Sequence, residues 1–139
     1  MNASCFMDTN VLVYAAAGRG AEDGKRLRAL DLLEEAEFGT SGQVLQEFFV
    51  TVTRKIKVPL SRRDAAEWID RLALRPVVPV DASLVKSAIY LSERFVLSHW
   101  DAAIVAAAQA LGVSTLYTED ISHGQAYGSV RAVNPFRDD

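Results

Sequence analysis

Short apolar runs of strand type alternate with longer stretches of helical spacing, and no other feature of the chain narrows its fold as much. The first run, Cys5-Phe6-Met7, stops at Asp8 and gives way to a helical stretch from about Asn10. Gly18 and Gly20 mark a loop. From Ala21 to Phe38, Leu27, Leu30 and Leu33 recur at helical spacing, with Ala29 and Ala36 filling in. "GTSGQ" (39–43) reads as a very short strand or turn entering a third helix, expected to run to Val58-Pro59. Ser61-Arg62-Arg63-Asp64 is a capping-box pattern opening a fourth helix that carries Trp68, Ile69 and Leu72. "RPVVPV" (75–80) is a second strand, which Pro79 places near a sheet edge. Asp81 caps the next helix. Ser98-His99-Trp100-Asp101 opens one that is apolar nearly all round and stops at Gly112. "VSTLYT" (113–118) and "SVRAVNPF" (129–136) complete the strands. This alternation implies an α/β chain with a parallel sheet covered on both faces. In such sheets the functional crevice lies at the carboxyl ends of the strands.

Length and composition set further bounds. With 139 residues, no internal repeat and no long linker, residues 1–139 are expected to form one domain. No apolar run approaches the roughly 20 residues of a membrane helix, and Met1-Asn2-Ala3-Ser4 does not read as a secretory signal. The single cysteine, Cys5, excludes an internal disulfide and sits in an apolar run, as a buried thiol would. A cytoplasmic location is expected. The net charge of −3 gives no reason to expect nucleic acid. Locally, however, Arg54, Lys55, Lys57, Arg62 and Arg63 place five cations within ten residues, either a solvated helix end or a phosphate-facing patch.

Four carboxylates carry the chemistry, each with an ordinary structural alternative. Asp8 and Asp120 follow strands, so each can cap a helix or close a turn, or else face the crevice. Asp81 stands at the same kind of junction and is assigned to capping. Asp101 lies within a Ser-x-x-Asp cap, yet it sits at the mouth of a helix that should be buried, where a divalent cation is a natural counter-charge. Glu47 falls away from the apolar stripe of its helix (Val44, Leu45, Phe48, Phe49, Val52, Ile56), on a polar face with Gln43 and Gln46. Acids converging on one crevice repel unless protonated or bridged by a cation. Oxygen ligands without a His or Cys set suit Mg²⁺ or Mn²⁺, and acid-held Mg²⁺ points to phosphate chemistry.

"FMDTNVLVYA", "SGQVLQEFFVTVTRK", "SHWDAAIVAAAQALG" and "TLYTEDISHGQ…VRAVNPF" resemble, in order, the successive motifs of the PIN-domain family, and more closely its VapC-type toxins. The resemblance runs from Phe6 to Phe136. It implies a three-layer α/β/α sandwich with a central, mainly parallel sheet, and a Mg²⁺- or Mn²⁺-dependent endoribonuclease with an acidic quartet. The quartet positions match Asp8, Glu47, Asp101 and Asp120, as metal ligands and catalytic residues; Asn10 and Thr118 match positions of polar support. Glu119 is an extra acid beside the quartet. An RNA substrate, a homodimer and a cognate antitoxin lying in the acidic groove are implied as well. Cations flanking that groove would be needed to hold phosphates, which raises the weight of the Arg54–Arg63 stretch.

His99 and His123 could serve as proton shuttles, but neither belongs to the motif quartet and both read as structural. Trp68 and Trp100 read as core or helix-interface aromatics. One rival is a phosphohydrolase of the haloacid-dehalogenase type with Asp8 as nucleophile, but its usual second acid is replaced by Asn10. A non-catalytic binding module of the same fold is the other, and the complete quartet argues against it.

Overall fold

A computed structural model of the protein describes residues 2–18 and 20–138. Arg19, inside the expected Gly18–Gly20 loop, lies outside the described residues. Strands β1 (Cys5–Met7), β2 (Phe38–Ser41), β3 (Val77–Val78), β4 (Thr115–Tyr117), β5 (Ala126–Tyr127) and β6 (Val130–Val133) form one sheet in the order β3-β2-β1-β4-β6-β5. All neighbours are parallel except β5 and β6. The helices are α1 (Thr9–Ala17), α2 (Asp23–Glu35), α3 (Gly42–Val50), α4 (Arg62–Leu72), α5 (Ala82–Phe95) and α6 (His99–Leu111). A 3₁₀ turn, Gly20–Glu22, precedes α2, and a π-helical turn, Thr51–Lys55, prolongs α3.

The strand order explains the layers. From β1 the chain steps outward to β2 and β3, then returns to the other side of β1 as β4. Right-handed crossovers therefore put α1–α4 on one face and α5 and α6 on the other. The contacts agree: α1 packs on α2 and α3, whereas α5 packs on α6, which lies across β1, β2, β3, β4 and β6. The expected α/β/α sandwich is thus observed. Ala102 through Ala108 are all buried, as the apolar composition of α6 required. Gly39 permits that packing, because a Cβ there would stand 2.6 Å from Leu111 Cδ2. The corner between α5 and α6 turns on Val96 (φ 54°), a left-handed conformation that β-branched residues rarely adopt.

Several boundaries shift. α2 begins at Asp23, and its buried positions are Ala29 and Leu32, while Leu27 is 53% exposed. α3 and its π turn end at Lys55, short of Val58-Pro59. β5, only two residues long, gave no alternation to read. Cys5 is buried, and burial pushes its thiol up. No helix among the described residues is long and apolar enough to cross a membrane.

Candidate functional site

Between β1 and β4 the strand order reverses, and in open parallel sheets a crevice forms outside the carboxyl ends of such strands. Here it is a groove of about 530 Å³. Asp8 reaches it from the end of β1, Glu47 from α3, Asp101 from the first turn of α6, and Asp120 from the loop after β4. All four acids singled out from the sequence line this one groove.

Asp8 is 5% exposed. Its Oδ1 accepts from the Thr9 amide at 2.7 Å, and its Oδ2 from the Thr118 hydroxyl at 2.7 Å. Burial pushes the carboxyl up to about 7; those two hydrogen bonds lower it, and the charges of Asp120 and Glu47 raise it further. Asp101 is raised too, first by burial and then by the charge of Asp120, while the Ser98 hydroxyl holds it down. The acids therefore sense one another across the groove. Glu47 is exposed there; its Oε1 accepts from Gln43 Nε2 at 3.2 Å and from Thr9 Oγ1 at 3.4 Å.

Thr118 and Asn10 tie the two central strand exits together. Thr118 Oγ1 accepts from the Asp120 amide at 3.1 Å and from Asn10 Nδ2 at 3.4 Å. Asn10 Oδ1 accepts from the Glu119 amide at 3.3 Å. Asn10 is thereby engaged in support and supplies no second acid beside Asp8. Glu119 turns away: its carboxylate accepts from Tyr14 Oη at 2.6 Å and pairs with Lys25 at 3.0 Å. Lys25 is held above its ordinary value by its bonds to Glu119 and Tyr14.

The donor set fits a hard divalent cation: carboxylate oxygens from four segments, with no His or Cys lining the groove. Among the described residues, no three such groups are gathered closely enough to enclose an ion. Mg²⁺ does not need that closure, since it commonly keeps several waters and takes one or two carboxylates.

Sequence reasoning misplaced one groove residue, Trp100, and left open the direction of another, Lys55, which it had singled out within the basic stretch. Trp100, expected in a core or helix interface, is 67% exposed and lines the groove; it sits in the first turn of α6 and points outward. Trp68 does lie at an interface, tilted against Phe48 at 6.2 Å. Of the basic stretch, Lys55 lines the groove. In an unbroken helix Arg54 would face about 20° from Glu47 and Lys55 about 80° away, at roughly 100° per residue. The π turn inserts the extra residue that exchanges them. Arg62 stacks on Phe49 at 5.2 Å, and Arg63 pairs weakly with Glu67 at 3.7 Å. The His123 ring accepts from the Asn134 amide, a structural role as expected.

The PIN domain family model matches residues 5–128. Three solved structures are similar. A toxin–antitoxin complex from Klebsiella pneumoniae superposes with a TM-score of 0.72 at 19% identity, covering 96% of this chain and 98% of that one. The Mycobacterium tuberculosis toxin VapC20, described as cleaving the sarcin–ricin loop, gives 0.67 at 23% identity over 84% of this chain and 90% of its own. VapBC2 from Rickettsia felis, bound to a promoter DNA fragment, gives 0.61 at 19% identity over 92% and 96%. No curated protein matches the sequence.

Proposed function

Since the chain belongs to the PIN domain family, we propose that it is a metal-dependent endoribonuclease and the toxin of a toxin–antitoxin pair. The observation that carries this reading is the convergence of Asp8, Glu47, Asp101 and Asp120, from four separate segments, on one groove at the reversal of the strand order. Asp8, Asp101 and Asp120 would hold Mg²⁺ or Mn²⁺, with Glu47 as a further ligand or as the base that orients the attacking water. When bound, such an ion supplies Lewis-acid polarisation of the phosphate and an acidified water.

The chain's own groups have definite tasks in this reading. Thr9 and Thr118 hold both Asp8 oxygens, which fixes the carboxylate before any ligand arrives. Gln43 links Glu47 to the Trp100 carbonyl through bonds of 3.2 and 3.3 Å, joining the α3 and α6 walls. Lys55 offers a point charge to an RNA phosphate in a groove whose other charged residues are acids. Trp100 offers an exposed ring on which an unpaired base can stack.

The adjoining cavity supports a protein partner. It measures about 710 Å³, shares Val13 and Tyr14 with the groove, and is lined by apolar groups such as Ala17, Ile56 and Leu60. An antitoxin segment seated there would reach the acids. The exposed Val85, Ile89 and Tyr90 of α5 support self-association as a homodimer.

The test is to express the chain with and without the product of its neighbouring gene and map new RNA 5′ ends, then repeat cleavage with purified protein. Chelator should abolish cleavage, and Mg²⁺ or Mn²⁺ should restore it. New ends that persist in chelator would overturn the metal mechanism, and no new ends would overturn the nuclease.

A further inference from the structure

We propose that Lys25 and Glu119 form a latch that positions the metal-binding turn Thr118–Asp120, so that Glu119, despite its neighbours, is an anchor and not a ligand. This inference rests on the metal-dependent reading above. Glu119 stands between the residue that bonds to Asp8 and the acid that lines the groove, and it is held at both ends. Its amide donates to Asn10 of α1, and its carboxylate is shared by Tyr14 Oη (2.6 Å) and Lys25 Nζ (3.0 Å). Lys25, in the first turn of α2, also bonds to Tyr14 Oη at 3.1 Å and lies 4.7 Å from the Tyr14 ring and 5.5 Å from that of Phe136. The latch thus joins α1, α2, the β4 exit and the C-terminal segment.

Two consequences follow for the groove. Rotation of the Glu119 peptide would carry Thr118 and Asp120 with it, and Thr118 Oγ1 bonds to both Asp8 and the Asp120 amide. Lys25 also neutralises a fifth carboxylate that would otherwise add to the mutual repulsion of the four. Pairs as solvated as this one, with side chains 38% and 22% exposed, contribute little to global stability. Loss of the latch should therefore register at the site more than in the melting temperature.

The experiment measures Mn²⁺ binding to the purified, metal-free full chain by calorimetry, alongside thermal melting. Outer-shell partners typically govern metal affinity by 10- to 100-fold, so Lys25→Met and Glu119→Gln should each weaken Mn²⁺ by about 10-fold. Both should melt close to the wild type, and Lys25→Arg should bind Mn²⁺ like it. If Glu119 were instead a ligand, Glu119→Gln would lose affinity while Lys25→Met, which frees the carboxylate, would keep or gain it. That pattern overturns the latch. Unchanged affinity in both variants overturns it too, as does a loss that merely tracks unfolding. A wild-type chain that binds no Mn²⁺ would instead remove the metal reading, and the latch's role with it.

Discussion

Asp8 after β1 and Asp81 after β3 each end a strand and open a helix, and their surroundings are opposite. Asp81 is exposed and accepts from the Leu84 amide at 2.9 Å, three residues on, as a helix cap does. Asp8 takes only the amide of the next residue, gives its other oxygen to Thr118, and is 5% exposed. A second pair repeats the lesson. In "SRRD" and "SHWD" the serine hydroxyl accepts from the aspartate amide at 3.0 and 3.1 Å, so the local structure is the same. Asp64 nevertheless faces solvent, while Asp101 faces the groove with its pKa raised. Local grammar decides whether a residue caps. Position in the sheet decides whether its charge is desolvated: β3 is an edge strand, whereas β1 and β4 flank the reversal.

The widest separation should appear when each acid becomes an amide. Asp8→Asn and Asp101→Asn should lower kcat/KM for RNA by about 10³-fold or more, the several kcal/mol that charge held around a metal provides. Asp81→Asn and Asp64→Asn should retain activity, and an equal loss in either would break the comparison. Stability of the metal-free protein should separate the first pair in the other direction. The Asp8 pKa is raised from 3.8 to about 7 in the fold, so between those values the folded chain holds a proton that the unfolded chain has lost. Its contribution is complete below about pH 4 and is lost as pH rises through about 7, by at most roughly 4 kcal/mol. Asp8→Asn should lack that fall, which denaturation midpoints of the two proteins from pH 4 to 8 would reveal. Parallel curves would show that Asp8 is not desolvated as the structure has it.

Much of this was legible before any coordinates. Strand and helix alternation, the caps at Ser61, Asp81 and Ser98, and the buried run of α6 are local properties, and each appears as expected. The four acids were legible only jointly, because each alone has a structural explanation. What escaped, or stayed open as the basic stretch did, turns on features that local periodicity does not carry. Lys55 reaches the groove through a π turn that breaks the helical phase, and phase was the only guide to its direction. Lys25 meets Glu119 across 94 residues of chain, with no periodicity to announce the pair. Leu27 is apolar and fits a stripe, but the buried face of α2 is set by what α1 offers it, and Ala29 and Leu32 take that place.

A smaller contrast lies one residue before each paired aspartate, where "SHWD" has Trp100 and "SRRD" has Arg63. Stacking of a base on an exposed aromatic is worth about 1–3 kcal/mol by alanine substitution. Trp100→Ala should therefore raise KM for RNA by about 10-fold with kcat little changed, the sign of an interaction made equally in ground and transition states. Arg63→Ala should change neither. A fall in kcat for Trp100→Ala at constant KM would move the ring's role from binding to placement of Asp101 beside it.

The smallest effect returns to Asp81, and it tests whether capping is all that this residue does. Replacing an N-cap aspartate by alanine removes one acceptor from the first turn and typically costs about 1 kcal/mol. For a chain of this length that corresponds to a drop of roughly 3 °C in melting temperature. Asp81→Ala should show that drop at neutral pH together with wild-type RNA cleavage and Mn²⁺ affinity. One aspartate thus stabilises the fold through a local helix cap, whereas the other lowers its stability as its buried carboxyl loses a proton near pH 7.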